Sequence, residues 1–250
     1  MKYRKLGSTG LLVSEIGLGC EGFAEDECRN AKRLLDEAES QGINYFDLYA
    51  SDPEVRASVG EALRGRREKF MIQSHVCSVW KDGQYKRTRN IDEVKAGMEE
   101  MLSLLQTDYI DVGMIHYVDS VKDWHTVADG PVLAYVKELK EKGVIRHIGL
   151  SSHNPEVALE AVKSGDIEVL MFSVNPCYDL QPASEDVEEL WAEKNYEEHL
   201  INMNPERQEL YETCQRLDIG ITVMKAFGGG DLLDEKLSPA GKALTVNQCI

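Results

Sequence analysis

One recurring module limits the fold of this chain more than any other feature: an amphipathic helix, a glycine, then a short apolar strand. The first clear copy is AKRLLDEAESQGINYFDLY, residues 31–49. Its apolar positions Ala31, Leu34, Leu35 and Ala38 fall on one helical face, and Gly42 stands where a left-handed stop is needed. VLAYVKELKEKGVIRHIGLSS (132–152) repeats the plan with Val132, Tyr135, Val136 and Leu139, then Gly143. PERQELYETCQRLDIGITVMK (205–225) repeats it again. Between the copies lie KFMIQSH, TDYIDVGMIH and IEVLMFSVN, apolar on both faces as buried parallel strands are. Helix starts are marked by Asn90 with Glu93 and by the Asn-Pro pairs 154–155 and 204–205.

Strands alternating with helices mean parallel strands joined by right-handed crossovers. The pattern gives about seven, near residues 15–19, 44–48, 70–75, 109–115, 146–150, 168–174 and 220–225. A closed (β/α)8 barrel has eight. YRKLGSTGLLVSEIG adds an N-terminal hairpin with Ser8-Thr9-Gly10 as its turn. The expectation is a single α/β domain over residues 1–250, a (β/α)8 TIM barrel truncated before its eighth strand. The least regular stretch, roughly 176–204, follows a strand's C-terminal end, where barrels build substrate-binding walls.

The formal net charge of -16 argues against a polyanionic partner, because nucleic acid and anionic lipid need a basic face. No apolar run reaches membrane-spanning length, and the start lacks the apolar core of a signal peptide. The six cysteines match no zinc or redox spacing and read as reduced thiols. A cytoplasmic protein acting on a small molecule is expected, with its oligomeric state unassigned.

Several motifs together resemble the aldo-keto reductase family: KLGSTGLLVSEIGLG, GINYFD, TDYIDVGMIH, GVIRHIGLSSHNPE and GITVMKAFGGG. The resemblance runs through essentially the whole chain. It is closest to the bacterial branch that carries a ferredoxin-like iron–sulfur module after the barrel, with INMNPERQELYETCQ the part most like that branch. The module itself is absent here, so an iron–sulfur cluster would belong only to a longer parent chain. The resemblance implies a TIM barrel that binds NADP(H) and reduces carbonyls with an aspartate, a tyrosine, a lysine and a histidine. Hydride reaching a carbonyl carbon leaves an alkoxide, which needs a proton and a positive field.

By this resemblance Asp47 is the aspartate and His116 the histidine. The tyrosine would stand five residues after the aspartate, where this chain has Asp52, which reads as a cap ahead of Pro53. The lysine is replaced by His75. Tyr49 lies two residues after Asp47 and points to the same side if the strand continues. Tyr49 and His75 are therefore candidate substitutes. The alternatives are a Tyr49 packed under the next helix and a His75 satisfied at the pocket rim.

Ser151, Ser152 and Asn154 would hold the nicotinamide carboxamide, with Asn154 also capping a helix. Met171 replaces a family glutamine. In KAFGGGDL, Lys225 and the backbone of Gly228, Gly229 and Gly230 would approach the pyrophosphate. The basic residues that grip the adenosine phosphate in the family would lie past residue 250. Three functions follow as alternatives. The first is a divergent NADP(H)-dependent reductase acting on a small carbonyl or alcohol. The second is a catalytically silent barrel that binds nucleotide or a partner. The third is a metal-assisted hydrolase or isomerase using Asp47, His75 and His116. His125, His147 and His199 carry no motif, and Trp80 and Trp191 read as loop residues able to wall a pocket.

Overall fold

The computed structural model describes residues 1–24, 31–190 and 202–250. They form two compact units, one of Met1–His116 with His125–Gly149, the other of Tyr117–Trp124 with Leu150–Ile250. His199 and Trp191 lie outside the described residues, as does Cys28.

The first unit opens with an antiparallel hairpin, β1 (Tyr3–Lys5) and β2 (Leu12–Ser14). Its turn is a short 3-10 segment, Gly7–Thr9, closed by Gly10 at φ 75°, a conformation glycine adopts without strain. Asn44 clamps this hairpin. Its Oδ1 accepts from Ser14 N (2.7 Å), its Nδ2 donates to Leu12 O (3.0 Å), and its own N–H reaches Ser14 Oγ (3.1 Å).

Parallel strands follow: β3 (Leu18–Gly19), β4 (Tyr45–Leu48), β5 (Met71–Val76) and, after an antiparallel hairpin of β6 (Ser78–Lys81) and β7 (Gln84–Arg87), β8 (Ile110–Ile115). Within this unit the parallel order is β3-β4-β5-β8, with Asp47 opposite Gln73 and His75 opposite Met114. Nearly every residue of β5 and β8 is buried, as the two-sided apolar runs predict. The helices are α1 (Ala31–Ser40), α2 (Pro53–Leu63), α3 (Ile91–Leu105) and α5 (Pro131–Glu141), with α4 (Val121–Ala128) preceding α5.

Of the expected apolar faces, Ala31, Leu35 and Ala38 in α1 and Val132, Val136 and Leu139 in α5 are buried, while Leu34 and Tyr135 are half-buried. Gly42 ends the first module at φ 80°, as anticipated. Gly60 lets α2 lie directly on α3, since a Cβ there would stand 2.2 Å from Leu104 O. Asn90 caps α3 through the N–H groups of Asp92 and Glu93. The Glu93 carboxylate does not complete a capping box; it turns instead to Lys81, Lys86 and Thr88.

Strand β9 (Ile145–Ser152) begins in the first unit and ends in the second. The second unit continues with α6 (Pro155–Lys163), β10 (Val169–Ser173), α7 (Pro205–Leu217), β11 (Gly220–Met224) and α8 (Val246–Cys249). β10 and β11 pair in parallel, Val169 opposite Gly220. Asn154 and Asn204 cap α6 and α7 with proline at the next position. The described part of the long segment after β10 holds short 3-10 turns at Tyr178–Leu180 and Val187–Leu190. No helix among the described residues is long and apolar enough to cross a membrane.

Candidate active site

Side chains alternate across a strand, so Tyr45 and Asp47 of β4 share a face, as do Gln73 and His75 of β5. The register places Asp47 beside Gln73, and the backbone of His116, just past β8, still bonds Val76 O at 3.0 Å. These three neighbouring strand ends bring Asp47, His75 and His116 together. Asp47 Oδ1 accepts from Gln73 Nε2 at 2.6 Å and lies 3.0 Å from His75 Nε2. His75 Nδ1 faces His116 Nδ1 at 2.7 Å. Tyr45 donates to Gln73 Oε1 at 2.8 Å, which turns the Gln73 amide nitrogen toward Asp47. Burial and the negative charges of Asp47 and Asp111 push the Tyr45 hydroxyl well above its ordinary pKa, so it remains a donor. Burial, with a contribution from Asp47, likewise raises the Cys20 thiol far above its usual range.

His75 and His116 are 2% and 5% exposed, deep enough for each ring nitrogen to need a partner. Each has one. Tyr85 Oη lies 2.8 Å from His116 Nε2. The result is a continuous run, Tyr45–Gln73–Asp47–His75–His116–Tyr85. Tyr49 stands over it, its ring centroid 5.3 Å from His116, 5.8 Å from Tyr85 and 5.9 Å from His75. It thus lies on the same side as Asp47, against the rings. The groups of the metal-assisted alternative bond to one another instead of converging on a point. Among the described residues no set of three His, Cys, Asp or Glu could hold a metal ion.

Sequence reasoning missed Tyr85, Gln73 and Tyr45. Tyr85 sits on the β6–β7 hairpin, which the pattern did not reveal; Trp80 belongs to that hairpin rather than to a loop. The chain leaves β5 through Cys77, a non-glycine residue at φ 74°, and doubles back. Three contacts from the β4–α2 connection and the first turn of α2 hold the hairpin's base: Ser51 Oγ to Val79 O (3.0 Å), Ser78 Oγ to Tyr49 O (3.4 Å) and Arg56 Nη2 to Ser78 O (3.2 Å). Arg56 is fully buried, and burial lowers its pKa to about 10, so it stays charged at neutral pH. Asp52 caps α2 by accepting from Glu54 N at 2.8 Å, the structural role expected of it.

In the second unit, the predicted carboxamide-binding residues cluster around Asp119. Ser152 Oγ donates to Asp119 Oδ1 (3.0 Å), as does His153 N (2.7 Å), while His153 Nδ1 meets Oδ2 at 2.8 Å. Asn154 spends its amide on Asp119 O (3.0 Å) and on capping Glu156 N (3.0 Å). Ser151, buried, accepts at Oγ from Tyr117 N at 2.8 Å.

The glycine loop after β11 follows Lys225, itself left-handed at φ 60° and pinned by Asn175 Nδ2 on its carbonyl at 2.9 Å. Gly228, Gly229 and Gly230 are all left-handed, and added Cβ atoms at Gly229 and Gly230 would meet nothing within 4 Å. The backbone there is open to close approach by an anionic group, which fits a pyrophosphate.

Residues 15–245 match the model of the aldo/keto reductase family. The chain belongs to the aldo/keto reductase family. It is 33% identical over 254 residues to the uncharacterized oxidoreductase YqkF of Bacillus subtilis, covering 98% of this chain and 77% of that protein. It is 27% identical over 185 residues to L-galactose dehydrogenase of Arabidopsis thaliana, covering 68% of this chain and 56% of that protein. A further relative, the aldo-keto reductase YhdN of Bacillus subtilis, is 29% identical over 62% of this chain and 48% of its own length. This aldo/keto reductase therefore spans about half to three quarters of the curated relatives it matches. Among solved structures, the holo form of an aldo-keto reductase from Bacillus halodurans superposes with a TM-score of 0.73 at 28% identity, over 94% of this chain and 69% of that one. The α/β barrel class expected from the module is the fold of this oxidoreductase family.

Proposed function

We propose that this chain is an NADP(H)-dependent oxidoreductase that reduces a small carbonyl compound, or oxidises the matching alcohol, at the ends of β4, β5 and β8. One observation supports the reading: Asp47, His75 and His116 form one hydrogen-bonded run, with His75 and Asp52 standing in sequence where the resemblance implies a lysine and a tyrosine. When bound, NADPH supplies hydride to the carbonyl carbon. The chain's own residues do the rest. Asp47 holds His75 in one orientation. His75 and His116 pass a proton toward the developing alkoxide, and Tyr49 walls the rings. Ser151 donates to the carboxamide, while Lys225 and the left-handed backbone of Gly228, Gly229 and Gly230, open at Gly229 and Gly230, receive the pyrophosphate. Ser152 and Asn154 keep the loop that presents Ser151 in shape. The acidic surface and the buried thiols of Cys20, Cys177, Cys214 and Cys249 support a cytoplasmic enzyme whose partner is a small molecule, not nucleic acid.

The test combines binding and turnover. NADPH is titrated against protein fluorescence, and a panel of small aldehydes and ketones is assayed for NADPH consumption. His75→Ala is expected to lower kcat by about 10²- to 10⁴-fold, the range of general acid–base catalysis, while NADPH still binds. Failure of the parent protein to bind NADPH ends the reading. Binding with no turnover across the panel leaves the silent barrel instead. If His75→Ala and Tyr49→Phe both reduce carbonyls at the parent's rate, these residues do not carry the proton.

A further inference from the structure

Resting on the oxidoreductase reading, we propose that Tyr85 of the β6–β7 hairpin is the proton donor, fed by a single polarised path through His116 and His75 to Asp47. The bonds are 2.8 Å from Tyr85 Oη to His116 Nε2, 2.7 Å between the two Nδ1 atoms, and 3.0 Å from His75 Nε2 to Asp47 Oδ1.

Donor and acceptor counting fixes the direction. An ionised carboxylate only accepts, so His75 Nε2 carries a hydrogen. A neutral His75 then has a bare Nδ1, which requires His116 to donate from its Nδ1. That leaves His116 Nε2 bare, and it accepts the Tyr85 O–H. Only this arrangement satisfies all three bonds when Asp47 is ionised and both imidazoles are neutral. Gln73 is consistent with it, because its amide, held by Tyr45, donates to the same Asp47 oxygen that accepts from His75.

One added proton reverses the polarity. His75 becomes an imidazolium bonded to Asp47 and to His116 Nδ1. His116 then donates from Nε2 to the Tyr85 oxygen, and the Tyr85 hydrogen is released from the path to point at a substrate oxygen. The proton step starts from the alkoxide that remains after a reduced nicotinamide has given two electrons and a hydrogen to the carbonyl carbon. The Tyr85 O–H bond breaks as the alcohol O–H bond forms. Tyr85 takes the His116 Nε2 hydrogen, His116 Nδ1 takes the His75 Nδ1 hydrogen, and His75 is left neutral on Asp47. The path has lost one proton and one positive charge, and water resupplies it.

Of the two ends, only Tyr85 can donate, since ionised Asp47 holds no proton. Tyr85 is also the more accessible end, 39% exposed against 18% for the Asp47 side chain. The hairpin that carries it is anchored by Ser51, Ser78 and Arg56, so the hydroxyl is positioned rather than left on a loose loop.

The experiment uses the full chain with ¹⁵N-labelled histidine, at a pH where both imidazoles are neutral. NMR is expected to show hydrogen on His75 Nε2 and on His116 Nδ1. Tyr85→Phe keeps the ring and removes the donor, so the His116 Nε2 signal should move. In the same variant kcat for carbonyl reduction should fall by about 10²-fold or more, with NADPH affinity held. A His116 hydrogen on Nε2, a His116 Nε2 signal untouched by Tyr85→Phe, or unchanged kcat each overturns the proposal. A parent that binds no NADPH but shows both expected tautomers and the shifted signal sinks the oxidoreductase reading alone and supports the path.

Discussion

Gln73 illustrates how a neutral side chain links two buried neighbours. It is fully buried, accepts from Tyr45 and donates to Asp47, so the amide cannot be flipped without setting two donors or two acceptors against each other. Gln73→Leu would preserve volume and remove both bonds. The Tyr45 hydroxyl would then be buried without its acceptor, which costs about 1–3 kcal/mol. Urea denaturation should show that loss, with the m-value unchanged. Asp47 would keep His75 as its partner, so the imidazole run should survive. A stability equal to the parent's would show that Tyr45 finds another acceptor.

The hairpin of β6 and β7 is the element on which the site depends most and which the sequence disclosed least. SVWKDGQYKR is short, and its exposed face is polar, so period-two alternation barely registers there. Its fixing contacts come from side chains distant in the chain, Ser51 and Arg56, which no local pattern signals. By contrast the strands that carry Asp47 and His75 and lead into His116 were legible as apolar runs, and the resemblance to the family singled out those three residues on them. Tyr49 was legible as a neighbour, through alternation, but its contact with three rings needed the hairpin to be seen. The positions that the resemblance assigns to the cofactor were legible only as places: the bonding of Ser152 and Asn154 to Asp119 depends on a residue 33 and 35 positions away.

Glu93 ties the outer edge of the same hairpin to the start of α3. It receives Lys81, Lys86 and Thr88, and these bonds lower its pKa from 4.5 to about 2. Because the folded carboxyl is the stronger acid, its contribution is fully present above about pH 4.5 and is lost as pH falls toward 2. Protection against amide hydrogen exchange over residues 78–87, taken relative to the intrinsic rate at each pH, should therefore fall across that window in the parent. In Glu93→Gln, exchange should already be faster at neutral pH, and the difference from the parent should shrink as the pH drops through the window. Identical profiles for the two proteins would mean that Ser51, Ser78 and Arg56 hold the hairpin unaided.

For the molecule as a whole, 44 acidic residues stand against 28 lysines and arginines, a formal net charge of -16. Charge of one sign repels itself and weakens the compact state, and salt relieves the repulsion. Salt also screens the attractive surface pairs, among them Lys32–Asp36 and Lys163–Glu209. Each exposed pair contributes only about 0–1 kcal/mol, whereas the acidic excess acts over many pairs at once. The Debye length falls from about 30 Å at 0.01 M to about 8 Å at 0.15 M, so most of the long-range repulsion disappears between those concentrations. The repulsive sum is the larger of the two, and the melting temperature should rise by about 2–4 °C over that range in sodium chloride, followed by scanning calorimetry. Sodium sulfate strengthens apolar burial as well as screening charge, so sodium chloride is the cleaner probe. A melting temperature that falls with sodium chloride would mean that the local ion pairs, not the acidic excess, dominate the charge energetics of this fold.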